Sequence, residues 1–201
     1  MAILIFFVAV IFVLWVIGRF YLKGADLSRY DEEPDAGAVQ SFPGPDGPSD
    51  GHRAMVAEVE AFGKLIHQTP RKDHLALIRR YMDEQGEKRE YSSEFRPVDV
   101  AGVPGEWVLT PGYDGARRVL YIHGGAFIAG SPLSHRNITN RFSELYGAAV
   151  LAIDYRLMPE HLRLDSLEDC KTAYRWILEN GPDGAAPIDH LVVSGDSAGG
   201  N

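Results

Sequence analysis

The residues with the strongest chemical signature are the last seven, Gly195-Asp196-Ser197-Ala198-Gly199-Gly200-Asn201. Five of them fit G-x-S-x-G, and Leu191-Val192-Val193, expected to be a buried strand, runs directly into them, as that motif requires. A serine held in a sharp strand-to-helix turn presents its hydroxyl above a sheet, and flanking glycines leave room for the neighbouring chain. With a helix beginning near Ala198, backbone N–H groups point toward negative charge developing beside Ser197. The chemistry indicated is nucleophilic attack on a carbonyl. Such attack needs its oxyanion stabilised. Beginning 74 positions before Ser197 lies His123-Gly124-Gly125-Ala126-Phe127, a loop able to aim consecutive N–H groups into one small space.

His123 opens that loop and is expected to orient it through hydrogen bonds rather than to act as a general base; His135 is not expected to be a base either. His52, His67, His74, His161 and His190 are scattered, which suits surface or packing roles and suggests no metal site. Cys170 is the only cysteine, so an intrachain disulfide and a multi-cysteine zinc site within these residues are excluded. No metal or organic cofactor is expected.

The elements that must position these residues alternate. Arg53 to His67 carries Met55, Val56, Val59, Phe62, Leu65 and Ile66 at helical spacing, and a weaker helix follows Pro70 with a cap expected at Asp73. Phe95 to Val100 and Glu106 to Leu109 read as an antiparallel strand pair, separated by the turn residues Gly102, Pro104 and Gly105. Then come a strand over 118–122, a helix over 137–146, the apolar strand 148–153, a helix over 167–178 and the strand 191–193. Strands apolar along their length and separated by helices imply a parallel sheet covered on both faces, an α/β fold.

The chain has 201 residues and a net charge of -8, with 20 basic against 28 acidic side chains, which leaves no electrostatic footprint for nucleic acid. Before residue 19 there is no ionisable side chain. Of the sixteen residues Ala2 to Ile17, thirteen are Ile, Leu, Val or Phe and the others are Ala2, Ala9 and Trp15. Inserting them into a bilayer gains roughly 4 to 8 kcal/mol, so residues 1–23 are expected to form one transmembrane anchor, with Arg19 and Lys23 snorkelling. A cleaved signal peptide would need a basic region before the run and a small-residue cleavage site after it. Neither is evident. The third alternative is a hydrophobic helix packed on the domain. Arg19, Lys23 and Arg29 all follow the span, so the positive-inside rule places the remainder in the cytoplasm, the extracytoplasmic side being the alternative. Residues 24–51, rich in Pro, Gly and acidic side chains, read as a flexible tether reaching about 30 Å.

Three stretches together, His123-Gly124-Gly125-Ala126-Phe127, Asp154-Tyr155-Arg156-Leu157-Met158-Pro159-Glu160 and Gly195-Asp196-Ser197-Ala198-Gly199-Gly200-Asn201, resemble the hormone-sensitive-lipase-like family of α/β-hydrolase esterases over roughly residues 50–201. The resemblance implies that Ser197 is the nucleophile, and that Gly124, Gly125, Ala126 and Ala198 form the oxyanion hole, with N–H donors at Gly125, Ala126 and Ala198 and with His123 completing the loop. It implies that Asp154, Tyr155, Arg156 and Glu160 brace the loop, and that the helical region 52–92 is the family's N-terminal cap, which lines the acyl pocket. The family commonly has a third glycine where Ala126 stands; a backbone N–H is the donor, so alanine keeps the function. Residues 93–201 are then the N-terminal part of the hydrolase domain.

One departure matters. In the family the acid and the histidine follow the serine, and only four residues follow Ser197 here. The fold is therefore expected to be an α/β hydrolase incomplete at its C-terminus, with an unpaired apolar sheet edge, and the 201 residues alone are expected to be inactive. The favoured function is a membrane-anchored serine carboxylesterase or lipase-like hydrolase acting on a small-molecule or lipid ester. The alternatives are a noncatalytic membrane-tethered module and a serine protease, which the α/β alternation disfavours.

Overall fold

A computed structural model describes residues 2–20, 22, 24, 26, 28 and 47–201. Most of the expected tether, with Lys23 and Arg29, lies outside the described residues. The chain divides into two compact units, residues 1–57 and 58–201. The first holds helix α1 (Ala2–Phe20) and the opening turns of α2 (Asp50–Gln68). The side chains of α1 are described from Phe6 onward. Among the described residues no helix is long and apolar enough to cross a membrane.

The second unit is built on a five-stranded mixed sheet. Its strands are β1 (Glu94–Val100), β2 (Val103–Leu109), β3 (Asp114–Ile122), β4 (Ala148–Ile153) and, after a short ribbon of β5 (Asn180–Gly181) and β6 (Gly184–Ala185), β7 (His190–Gly195). The order is β1-β2-β4-β3-β7. The expected antiparallel pair is present as β1 and β2, and β2 joins β4 antiparallel, so the hairpin and the parallel strands share one sheet. Strand β3 pairs in parallel with β4 and β7.

The alternation of side chains across β4 explains the two-sided core. Leu151 and Ile153 join Trp107, Leu120, Ala173 and Ile177 in a cluster under helix α5 (Arg163–Glu179). Val150 joins Val108, Val119 and Tyr121 in a second cluster, against Ile138 and Phe142 of helix α4 (Arg136–Tyr146). Every residue of β4 is buried, as expected of a central strand with a helix on each face.

Four sequence expectations need correction. The β1–β2 turn is Ala101-Gly102, at φ +52° and +92°; Pro104 and Gly105 lie in β2. Both positive φ angles fit a two-residue hairpin loop. Helix α5 starts at Arg163 rather than 167, because Asp165 accepts the Leu162 N–H at 2.9 Å while Leu162 and Leu164 stay exposed, giving no apolar signal there. Asp73 occupies the N-cap of helix α3 (His74–Glu87), but its side chain makes no capping bond. Strand β7 is the expected unpaired apolar edge, pairing among the described residues only with β3, but it is not buried: Val192 and Val193 are about half exposed (41% and 50%).

Helices α2 and α3 form a hairpin in the region expected to be the cap. Phe62 stacks on Tyr81 at 3.8 Å between ring centroids, and the Glu58 carboxylate accepts from Gln85 at 2.7 Å and from Lys88 at 3.1 Å.

Candidate active site

Strand β7 ends at Gly195, and Ser197 opens a short 3-10 turn over Ser197–Gly200. Ser197 has φ +49°. A left-handed conformation costs an L-residue roughly 1–2 kcal/mol, so the surrounding packing must impose it. The glycines show how. A Cβ on Gly195 would stand 2.6 Å from the Gly199 carbonyl carbon and 2.7 Å from the Ile122 oxygen. A Cβ on Gly199 would stand 2.8 Å from the His123 oxygen. The elbow is thus pressed against the end of β3, the close approach for which glycine is needed.

The glycine loop leaves β3 beside it. Gly125 has φ +119°, while Ala126 and Phe127, which carry side chains, sit at +56° and +62°. The amides of Ile128 and Ala129 donate to the Gly125 carbonyl at 3.1 and 3.0 Å, closing the turn. Among the described residues the amides of Gly125, Ala126 and Ala198 donate to no protein acceptor. The Gly124 amide does. It donates to Asp196 Oδ1 at 2.9 Å, so Gly124 ties the loop to the elbow and, in this arrangement, is not a free oxyanion donor.

Asp196, the variable position of G-x-S-x-G, is a hub. Its Oδ1 also accepts from the Tyr121 hydroxyl at 2.8 Å and lies 3.4 Å from His135 Nε2. Burial pushes the Asp196 carboxyl up, but the Tyr121 hydrogen bond, the nearby His135 and the Gly124 amide outweigh it and leave it below its ordinary range. Burial, followed by Asp196, raises the Tyr121 phenol.

Neither candidate histidine is placed to serve Ser197. His123 is 1% exposed and its Nδ1 donates to the Gly124 carbonyl at 2.8 Å. Its buried Nε2 has no partner among the described residues. Burial pushes the imidazole down to about 4, with the Gly124 hydrogen bond opposing. His135 sits in a polar knot, Nδ1 2.8 Å from Ser134 Oγ.

The second motif splits into distinct contacts. The Tyr155 hydroxyl donates to the His123 carbonyl at 2.7 Å and its ring stacks on the imidazole at 4.3 Å, so Tyr155 braces the loop directly. Arg156 instead holds α5, through Nη2 to Asp169 Oδ1 at 2.7 Å and its amide to Asp169 Oδ2 at 2.9 Å. Asp154 joins β2 by its backbone, donating to the Pro104 carbonyl at 2.8 Å; burial and then the Asp83 charge raise its carboxyl. Glu160 accepts two hydrogen bonds from Arg79, both at 2.8 Å, which hold its carboxyl down at about 2. Arg79, Tyr121 and Asp169 are site-supporting residues that sequence reasoning missed. Each belongs to an element without a motif; Arg79 and Tyr121 meet their partners 81 and 75 positions away, and Asp169 meets Arg156 at 13.

Comparison with known proteins fits this geometry. Residues 119–201 match the family described as having the α/β hydrolase fold. An acetyl-hydrolase of Streptomyces hygroscopicus is 42% identical over 102 residues, 51% of this chain and 32% of that protein. The carboxylesterase/phospholipase LipF of Mycobacterium tuberculosis is 41% identical over 107 residues, 51% of this chain and 28% of LipF. The crystal structure of an esterase from the bacterial hormone-sensitive lipase family superposes with a TM-score of 0.59 at 32% identity, covering 71% of this chain and 47% of that one. The chain thus spans about a third or less of the curated relatives it matches and about half of the solved structure. Fold, elbow and glycine loop define an α/β hydrolase. Within that class the chain is similar to the hormone-sensitive-lipase-like esterases.

Proposed function

We propose that the protein is a membrane-anchored serine carboxylesterase or lipase-like hydrolase that cleaves short- to medium-chain acyl esters through an acyl-enzyme on Ser197. The observation that carries this reading is the seating of the strained Ser197 elbow against a loop whose Gly125 and Ala126 amides, with that of Ala198, have no acceptor among the described residues. Names of relatives such as acetyl-hydrolase and carboxylesterase/phospholipase support an ester substrate.

The Ser197 oxygen bonds to the ester carbonyl carbon while its proton passes to a histidine base. The carbonyl pair moves onto oxygen, toward the amides of Gly125, Ala126 and Ala198, where each well-placed donor is worth about 3 to 4 kcal/mol of transition-state stabilisation. When the pair returns, the bond to the alcohol breaks and the alcohol leaves with the histidine's proton. Water then repeats the sequence on the acyl-enzyme. Asp196 and Tyr155 hold the loop in place without entering the chemistry. The reading places the acid and the histidine after Asn201, following the family's order, and gives α2 and α3 the part of a cap over the acyl side. Attachment through residues 1–23 rests on the uncharged sequence to Gly18 and on the helical backbone of Ala2–Phe20.

The open mixed sheet with helices on both faces is incompatible with the β-barrel of chymotrypsin-like proteases. The noncatalytic module stands as the reading for the 201 residues alone, since no histidine among the described residues bonds to Ser197.

Fluorophosphonate labelling with nitrophenyl-ester hydrolysis tests the proposal. The full-length protein is expected to label and turn over, and Ser197→Ala to abolish labelling and lower kcat by roughly 10^4-fold or more. The 201 residues alone are expected to do neither. Ser197-dependent turnover by those 201 residues would overturn the assignment of the base, and a full-length protein inert to both assays would overturn the esterase.

A further inference from the structure

We infer that Arg79 is a positioning residue, which together with Asp83 and Gly86 on the same face of α3 fixes the conformation of the oxyanion loop from outside the hydrolase motifs. The inference rests on the esterase reading for its catalytic consequence and on geometry alone for its structural one.

Positions 79, 83 and 86 are spaced i, i+4 and i+7, one stripe of a helix. All three meet the segment that continues the glycine loop. Arg79 Nε donates to the Ile128 carbonyl at 2.7 Å. Asp83 Oδ1 accepts from the Ser131 hydroxyl at 2.5 Å. Gly86 has no side chain because the Leu133 backbone occupies the place: a Cβ there would lie 2.7 Å from the Leu133 carbonyl carbon. Residues 128–133 are therefore laid along α3 from its middle to its last turn.

The fork of Arg79 reaches further. Nη2 donates to the Met158 carbonyl at 3.0 Å, and Nη1 and Nη2 grip Glu160. The Met158 amide in turn donates to the Phe127 carbonyl at 2.9 Å. One guanidinium thus holds both chain segments that flank Phe127. Ala126 and Phe127, at φ +56° and +62°, are two consecutive left-handed L-residues. Such a pair persists only where its surroundings over-determine it. Contacts from Tyr155 and Asp196 fix the start of the loop at His123 and Gly124; the Arg79 clamp fixes its far end. The ion pair itself contributes little, because Glu160 is half exposed at 51%. The two carbonyl bonds and their fixed fork geometry carry the effect, so lysine, a point charge without that fork, cannot replace arginine.

The test uses Arg79→Lys and Arg79→Ala in the full-length protein, read by amide hydrogen exchange and by steady-state hydrolysis of a short nitrophenyl ester. Both variants are expected to speed exchange of amides 125–130 about tenfold or more while those of 149–153 stay at the wild-type rate. Both are expected to lower kcat about ten- to a hundredfold with KM within about twofold, the pattern of donors displaced in the transition state. Unchanged exchange at 125–130, or a rise shared equally by 149–153, would overturn the clamp. A raised KM at unchanged kcat would assign Arg79 to substrate access instead and overturn the positioning role. If wild type shows no Ser197-dependent turnover, the esterase reading fails, and the exchange result still decides the clamp.

Discussion

The backbone N–H of Gly124 donates to the carboxylate of Asp196 at 2.9 Å, joining the loop after β3 to the elbow after β7. Adjacent parallel strands deliver both ends, with Ile122 and Gly195 in register, but strand pairing alone leaves the two loops free of each other. The Asp196 side chain closes the gap, and the Tyr121 hydroxyl holds that carboxylate in turn.

Asp196→Ala is therefore expected to destabilise the fold by about 1–3 kcal/mol, because it leaves the Gly124 amide and the Tyr121 hydroxyl without their acceptor. Urea unfolding checks this, with the midpoint falling at constant slope. Asp196→Asn keeps an acceptor of the same shape and is expected to retain more of the stability than alanine.

Gly199→Ala probes the close approach at the elbow. The added methyl would meet the backbone of Ile122 and His123, and backbone cannot step aside as a flexible side chain does. Overpacking of this kind costs roughly 1–3 kcal/mol or more. The measured Tm is expected to drop, whereas Gly112→Ala, where a Cβ meets nothing within 4 Å, is expected to cost only the strain of its positive φ, +82°.

His123 contributes a pH dependence whose sign follows from its depressed basicity. Its imidazole titrates near 4 in the fold against an ordinary value of 6.5. Between those values the unfolded chain binds the extra proton, so the neutral buried ring's contribution is complete above about pH 6.5 and is lost as pH falls toward 4. The full shift corresponds to about 3 kcal/mol. The stability difference between wild type and His123→Asn is expected to shrink across that window. A difference constant from pH 7 to 4 would show that the ring is not held neutral by burial.

Much of this arrangement was legible because it is local. The elbow follows from a glycine-serine-glycine spacing after an apolar strand, and β4 from six consecutive apolar residues. The order of strands was not legible: β4 lies between β2 and β3 although it follows both in the chain, and no local pattern encodes such an insertion. Nor was the part of Arg79 in supporting the loop. It lies 81 positions from Glu160, and outside any motif it reads as an ordinary surface charge. Gly124 stands in the glycine loop as a natural oxyanion donor, and only the placement of Asp196 shows its amide already engaged.

The N-terminal helix supplies the last prediction. Phe6, Ile11, Phe12, Leu14 and Trp15 are each 58–64% exposed, and water contact of that extent on one apolar helix is unfavourable unless lipid or protein covers it. The expressed chain is expected to sediment with membranes and to resist alkaline carbonate, and deletion of residues 1–23 to release it. Release of the intact chain by carbonate would remove the anchor. Protease added outside intact cells then reads the orientation: a cytoplasmic domain leaves the 24–51 segment uncut, and cleavage there would place the Ser197 domain on the outer side instead.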